Sequence, residues 1–170
     1  MASQLRVDKI VPVDGVASNQ MGGLIQYVQA PHTAMTSRFS TNNNSYTATS
    51  YDVTITPKTT TSKILIYANL SCNAGGNAYV YLRVYNVTAG RYVNSEGGVT
   101  NDGMYESAIG GKTQWGMCPI EAVDMPNSTS AQTYRLYMRS DGSNSIYAGW
   151  SASAPNTMNF NYMSATEFSA

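Results

Sequence analysis

Charge is the scarcest ingredient of this 170-residue chain. Lys and Arg number 10, Asp and Glu number 10, and charged residues make up 12% of the sequence, about half the usual quarter. With zero net charge there is no field to gather phosphates, which argues against nucleic acid or an anionic membrane as partner. Histidine occurs once, as His32 in APHTAM, and cysteine twice, as Cys72 and Cys118. One imidazole and two distant thiols do not assemble a zinc site. A Ser–His–acid triad would depend on His32, with no G-x-S-x-G elbow to present a nucleophile. His32 therefore reads as a solvated loop residue. No glycine loop is placed to cradle phosphate at the opening of a helix, so no cofactor is expected. No segment approaches the roughly 20 apolar residues needed to span a bilayer. Arg6, Asp8 and Lys9 interrupt the leading residues before a secretory core can form, so synthesis and folding in a cytoplasm are expected. The two cysteines read as buried free thiols, with a disulfide formed after release as the alternative.

The carboxylates offer little more. Glu96, Asp102 and Glu106 fall in a glycine-rich stretch and could in principle supply a glycosidase pair or calcium ligands. NDGMYE lacks the dense alternating acids of a calcium loop, so these read as solvated loop groups. Glu167 lies inside a strand pattern, and its expected role is pairing with an arginine at a subunit contact. Nothing in this inventory supports an enzyme.

What the chain does have is Asn, Ser, Thr, 13 tyrosines and persistent period-2 alternation, with no long helical pattern. TSYDVTITP sets Tyr51, Val53 and Ile55 against Asp52, Thr54 and Thr56, and Pro57 ends the run. SKILIYANLSC groups Ile64, Ile66, Ala68, Leu70 and Cys72, with an opposite face (Leu65, Tyr67, Asn69) apolar enough to be partly covered. NAGGN reads as a hairpin turn. AYVYLRVYNV places Val80, Leu82 and Val84 on one side, and Tyr79, Tyr81, Arg83 and Tyr85 on the other. AQTYRLYMRSDG repeats this with Tyr134, Leu136 and Met138 against Arg135, Tyr137 and Arg139. QWGMCPIEAVDMP reads as a strand kinked at Pro119, and TMNFNYMSATEF as the last strand. Residues 91–112 read as a long connection with one short strand at MYESAI. Eight or nine strands between Gly23 and Phe168 predict an all-β, antiparallel β-sandwich, with uneven connections favouring a jelly roll.

The face Tyr79, Tyr81, Arg83 and Tyr85 is the strongest candidate site. Tyr and Arg anchor interfaces because they bury large area yet keep a polar tip, and they also suit sugar recognition. Three readings stay open: the second side of a two-sided core, a subunit interface, or a ligand surface.

The leading residues MASQLRVDKIVPVDGV form a second candidate. Leu5, Val7, Val11 and Val13 share one side of an extended strand, with Ile10 also apolar, and Pro12 confines any pairing to an edge. ASNQMGG then reads as a spacer. The expected organisation is an anchor strand and spacer over 1–22, with docking by 1–16 through Leu5, Val7, Ile10, Val11 and Val13, and a sandwich body over 23–170. An extra edge strand folded back on the body is the alternative.

LRVDKIVPVDG, the glycine-bearing spacer, GLIQYVQ, the stretch SYTATSYDVTITPKTTTSKILIYANLS (like a strand–turn–strand hairpin of that family), AQTYRLYMRSDG and the terminal MNFNYMSATEF together resemble small virion structural and tail-fibre proteins of tailed bacteriophages, notably marine and cyanobacterial ones. The likeness spans nearly the whole chain, and that family has no catalytic residues to carry over. It implies a homotrimeric projection of the virion, with an N-terminal arm anchored to other virion proteins. A jelly-roll head, of the TNF and C1q kind, would face outward and contact a host surface glycan. A capsid decoration or head-fibre protein is the neighbouring expectation, and a carbohydrate-binding, lectin-like module the more distant one.

Overall fold

The computed structural model describes residues 23–31, 38–75, 78–93, 116–149 and 161–169. They form ten strands: β1 (Leu24–Gln29), β2 (Phe39–Thr41), β3 (Thr47–Ile55), β4 (Lys63–Ala74), β5 (Val80–Asn86), β6 (Arg91–Tyr92), β7 (Gly116–Asp124), β8 (Gln132–Ser140), β9 (Ile146–Ala148) and β10 (Tyr162–Phe168). Every pairing is antiparallel. One sheet runs β3-β8-β5-β6; the other joins β1, β10, β4, β9 and β2, with β7 on β4.

The register reduces these ten strands to eight lines. Cys72 of β4 faces Gly116 of β7 across one edge and Ala148 of β9 across the other. β10 uses the same edge as β9, lower on β4, from Asn69 to Lys63. β9 and β10 are therefore two lengths of one line, and β1 and β2, paired with β10 and β9 in turn, are two lengths of another. The larger sheet is then β1/β2, β9/β10, β4, β7, and the smaller is β3, β8, β5, β6. From one line to the next along the chain, every step changes sheet except β5 to β6. That wiring is a jelly roll.

The same wiring corrects two readings of the turns. NAGGN and the SYDVTITPKTTTSKILI stretch are not hairpins. β3 and β5 lie in the smaller sheet and β4 in the larger, so each connection crosses between layers. Glycine and Ser/Thr clusters mark a chain reversal, but a reversal onto the facing sheet uses the same residues as one onto the neighbouring strand. Two strands went unanticipated, β2 and β6, with three and two residues, too short for alternation to register. The expected strand at MYESAI and most of the glycine-rich connection lie outside the described residues, as do His32, Glu96, Asp102 and Glu106.

Alternation explains which side chains fill the space between the sheets. Tyr51, Val53, Ile55, Val80, Leu82, Val84, Tyr134, Leu136 and Met138 from the smaller sheet meet Ile64, Ile66, Ala68, Leu70, Cys118, Ile120, Ala122, Met163 and Ala165 from the larger. Full burial of such a side chain contributes roughly 1.5–3 kcal/mol. In β3 the register slips between Ala48 and Asp52. The Thr49 hydroxyl donates to the Leu136 carbonyl at 2.7 Å and accepts the Tyr51 N–H at 3.1 Å, so the bulge leaves these ladder groups satisfied. Pro119 faces Asn69 on β7, whose only strand partner among the described residues is β4. An edge position is where the missing N–H is tolerated.

The two free cysteines are fully buried on adjacent strands, with Cys118 opposite Leu70, two residues before Cys72. Their side chains hydrogen-bond to each other. That bond raises the Cys72 thiol pKa, and burial pushes it further up. Both effects hold the Cys72 thiol protonated and unreactive.

Candidate functional site

Strand β5 has Val80, Leu82, Val84 and Asn86 buried, while Tyr81, Arg83 and Tyr85 stand half-buried on the outward side. Tyr79 precedes the strand, also half-buried. Three of the predicted residues thus share one face, and the register supplies their neighbours. Tyr81 faces Arg139, Arg83 faces Tyr137, and Tyr85 faces Arg135 on β8 and Tyr92 on β6. Tyr46, just ahead of β3, reaches across from the other side.

These side chains interleave. The Arg139 guanidinium lies 3.8 Å from the Tyr81 ring centre and 5.3 Å from that of Tyr46. Arg83 lies 4.7 Å from Tyr46 and 4.9 Å from Tyr92. The order is Tyr81, Arg139, Tyr46, Arg83, Tyr92, with each cation held between two phenol rings. Beyond Tyr92 the rings continue: Tyr85 meets Tyr92 edge-on at 4.9 Å and Tyr137 at 4.9 Å. Each cation–ring contact is worth about 0.5–2 kcal/mol, depending on how far it is desolvated. At the edge of the plate Arg135 grips Asp52 through two bonds, Nε to Oδ1 at 2.7 Å and Nη2 to Oδ2 at 2.6 Å. Burial raises the Tyr92 pKa; Arg83 opposes the shift, and the neighbouring phenols Tyr137, Tyr46 and Tyr85 add to it.

Among the described residues no third layer lies over this plate. The residues missed in the sequence were Tyr46, Tyr92, Tyr137 and Arg139. Tyr137 and Arg139 were visible as an outward-facing row on their own strand. Nothing in the sequence says that this strand lies beside β5, because β8 is far from β5 along the chain and its pairing follows from the jelly-roll order.

The outward side of the larger sheet has a different character. Tyr27, Thr166, Leu65 and Val123 form one row across it, and Leu24, Phe168 and Lys63 lie in a second row toward the termini, with Met125 just past the end of β7. Tyr27, Leu24, Ile25, Val123 and Met125 are all exposed, and they make up most of the exposed large apolar side chains among the described residues. The chain enters and leaves this corner together: Gly23 N–H donates to the Ser169 hydroxyl at 2.9 Å, and Ser169 N–H to the Gly23 carbonyl at 3.1 Å. Leu5, Val7, Ile10, Val11 and Val13 lie outside the described residues.

Two carboxylates are turned into the sandwich. Asp124 accepts from Asn86 Nδ2 at 2.9 Å and Tyr134 Oη at 3.0 Å, and pairs with Arg91. It joins β7 of one sheet to β5, β6 and β8 of the other. Glu167 is fully buried, and no arginine pairs with it among the described residues. It accepts instead from the Lys58 backbone N–H at 2.7 Å, from the Ser62 hydroxyl, and from Gln26 Nε2. Burial pushes the Glu167 pKa up, but the hydrogen bonds from Ser62, the Lys58 N–H, Gln26 and the Thr59 backbone outweigh it and leave the carboxyl below its usual range. A buried acid in a strand can be satisfied by backbone and amide donors as well as by a cation, and the sequence does not distinguish them.

No group of three or more His, Cys, Asp or Glu side chains placed to hold a metal occurs among the described residues. Among them, too, no helix is long and apolar enough to cross a membrane.

No family model and no curated protein matches the chain. Among solved structures it is similar to the VP2 subviral particle of infectious bursal disease virus, with a TM-score of 0.45 and 12% identity, over 85% of this chain and 37% of that one. It is similar also to a mutant VP2 of the same virus in T=1 particles, with a TM-score of 0.42 and 11% identity, over 99% of this chain and 40% of that one. The chain spans less than half the length of either.

Proposed function

We propose that this protein is a non-enzymatic structural component of a bacteriophage virion: a short fibre or tail-associated projection. In this reading residues 1–16 dock on the particle, 17–22 act as spacer, and 23–170 form a jelly-roll head, made in the host cytoplasm and carried outward on the particle. The observation that supports it best is the pairing of a two-sheet body with a preorganised tyrosine–arginine plate on its outward surface. Interleaved rings and guanidinium groups lose little freedom on contact, and such surfaces concentrate binding energy. The plate suits contact with the host surface, its hydroxyl and guanidinium edges matching the hydroxyl-rich surface of a glycan. The resemblance of the leading residues and of the body to phage virion proteins supports the arm as anchor and a homotrimer as the assembly.

Antibody labelling of isolated particles tests this reading. Label at the tail is the expected result; label spread over the head shell would point to capsid decoration. Absence from particles, together with a stable monomer that binds glycan, would replace the proposal with a free lectin-like module.

A further inference from the structure

We infer that the open edge of β1 receives the apolar leading strand, residues 5–13, of a second copy of this chain. This deepens the docking arm proposed above, on which it rests, by naming where the arm lands and on what.

β1 pairs through one edge, to β10; its other edge carries no strand among the described residues. Unpaired edges present a row of N–H and C=O groups that templates strand addition. This edge is apolar on both faces. Leu24 is 64% exposed and Tyr27 49%, with Ile25 beside them. On the core side Val28 of β1 and Phe39 of β2 are the apolar residues that pack against the core yet stay only partly buried. Among the described residues the partly buried apolar side chains of the core fall along this line, and an added strand would cover them. The leading segment has matching chemistry: Leu5, Val7, Val11 and Val13 on one side, and Pro12, which an outermost strand tolerates because its missing N–H can face solvent.

The chain's own arm fits poorly. A two-residue reversal at Gly22–Gly23 would pair Met21 with Leu24 and set Ser18 beside Tyr27 and Ala17 beside Val28. The polar spacer would then take the apolar edge, and residues 5–13 would overrun Gln29. Bringing residues 5–13 back beside β1 instead needs residues 14–22 as the loop, well beyond the 2–5 residues usual in hairpins. A second copy meets neither difficulty.

The test uses two full-length chains of different isotopic mass, one carrying Val7→Cys and the other Tyr27→Cys, mixed and treated with a bis-maleimide. A spacer of about 10 Å covers roughly two strand spacings, so the outcome does not hang on register. Tyr27 is half exposed, so its replacement leaves the core intact, and the native thiols are buried. The expected product is a heavy–light pair, reduced about tenfold or more when Val11→Asp is added to the first chain, given what burying one valine is worth. Cross-linking only within a chain carrying both cysteines would overturn the inference in favour of the chain's own arm. No cross-link between folded chains would overturn it as well. The particle reading would then stand or fall separately, on incorporation of the unmodified chain into virions.

Discussion

Asp124 and Glu167 lie in one row of the larger sheet, each directly opposite Ile64 across its own edge of β4. Both carboxylates point into the sandwich at the corner where the chain enters and leaves. Asp124 ties the two sheets together; Glu167 ties β10 to β1 and to the β3–β4 crossing.

Glu167 makes the fold acid-sensitive. Its carboxyl sits below the usual range in the folded chain, so the unfolded chain binds the proton more readily. The stability it contributes is present above the ordinary glutamate pKa and is lost as pH falls through the folded value. Denaturant titrations of the wild type from pH 7 downward should show falling stability below about pH 5. Glu167→Gln should be weaker at pH 7 by about 1–3 kcal/mol and flatter across that window.

Asp124→Ala removes the common acceptor of Asn86, Tyr134 and Arg91. Tyr134 Oη is left without an acceptor, Asn86 Nδ2 keeps only Gln132 Oε1 at 3.1 Å, and the partly exposed Arg91 turns to solvent, at a cost of about 1–3 kcal/mol. Asp124→Asn keeps an acceptor oxygen and should lose less. Urea midpoints of both variants at neutral pH check the order.

Tyrosine ionisation should divide into two classes. Burial raises the pKa of Tyr51, helped by the nearby Cys72 thiol. Burial also raises that of Tyr134, and the Asp124 charge and its hydrogen bond add to the shift. The folded values lie above the unfolded ones, so this stabilisation is complete below about pH 10 and lost as pH climbs past it. An ultraviolet titration should show Tyr51 and Tyr134 as a separate class that ionises only with alkaline unfolding.

The tyrosine–arginine plate is held together by its own contacts, so Arg83→Ala should cost about 1–2 kcal/mol, the sum of two cation–ring contacts. Arg139→Ala should cost a similar amount. Particles bearing Arg139→Ala in a folded head should adsorb to host cells less well than the wild type. Unchanged adsorption would remove the plate from the host-contact role.

Much of this was legible in the chain itself. The core face of β3, β4, β5 and β8 follows directly from alternation: Val53, Ile66, Leu82 and Leu136 are all buried, as their positions require. The face bearing Tyr81, Arg83 and Tyr85 was legible for the same reason. Its partners Tyr46 and Arg139 were not, because adjacency in a jelly roll joins strands remote in sequence, and Tyr92 was not because β6, with two residues, is too short to show alternation. The surroundings of Glu167 were hidden too. Gln26 reaches it from β1, and Ser62 and the Lys58 backbone N–H from the β3–β4 crossing; none of these donor groups carries the charge that sequence reasoning looks for in a partner.

Native mass spectrometry of the full-length chain bears most directly on whether its leading strand is received by another copy. A multiple of the chain mass is expected, shifting toward the monomer when Val7 and Val11 are both replaced by aspartate. A monomer at every concentration, indifferent to those two charges, would contradict it.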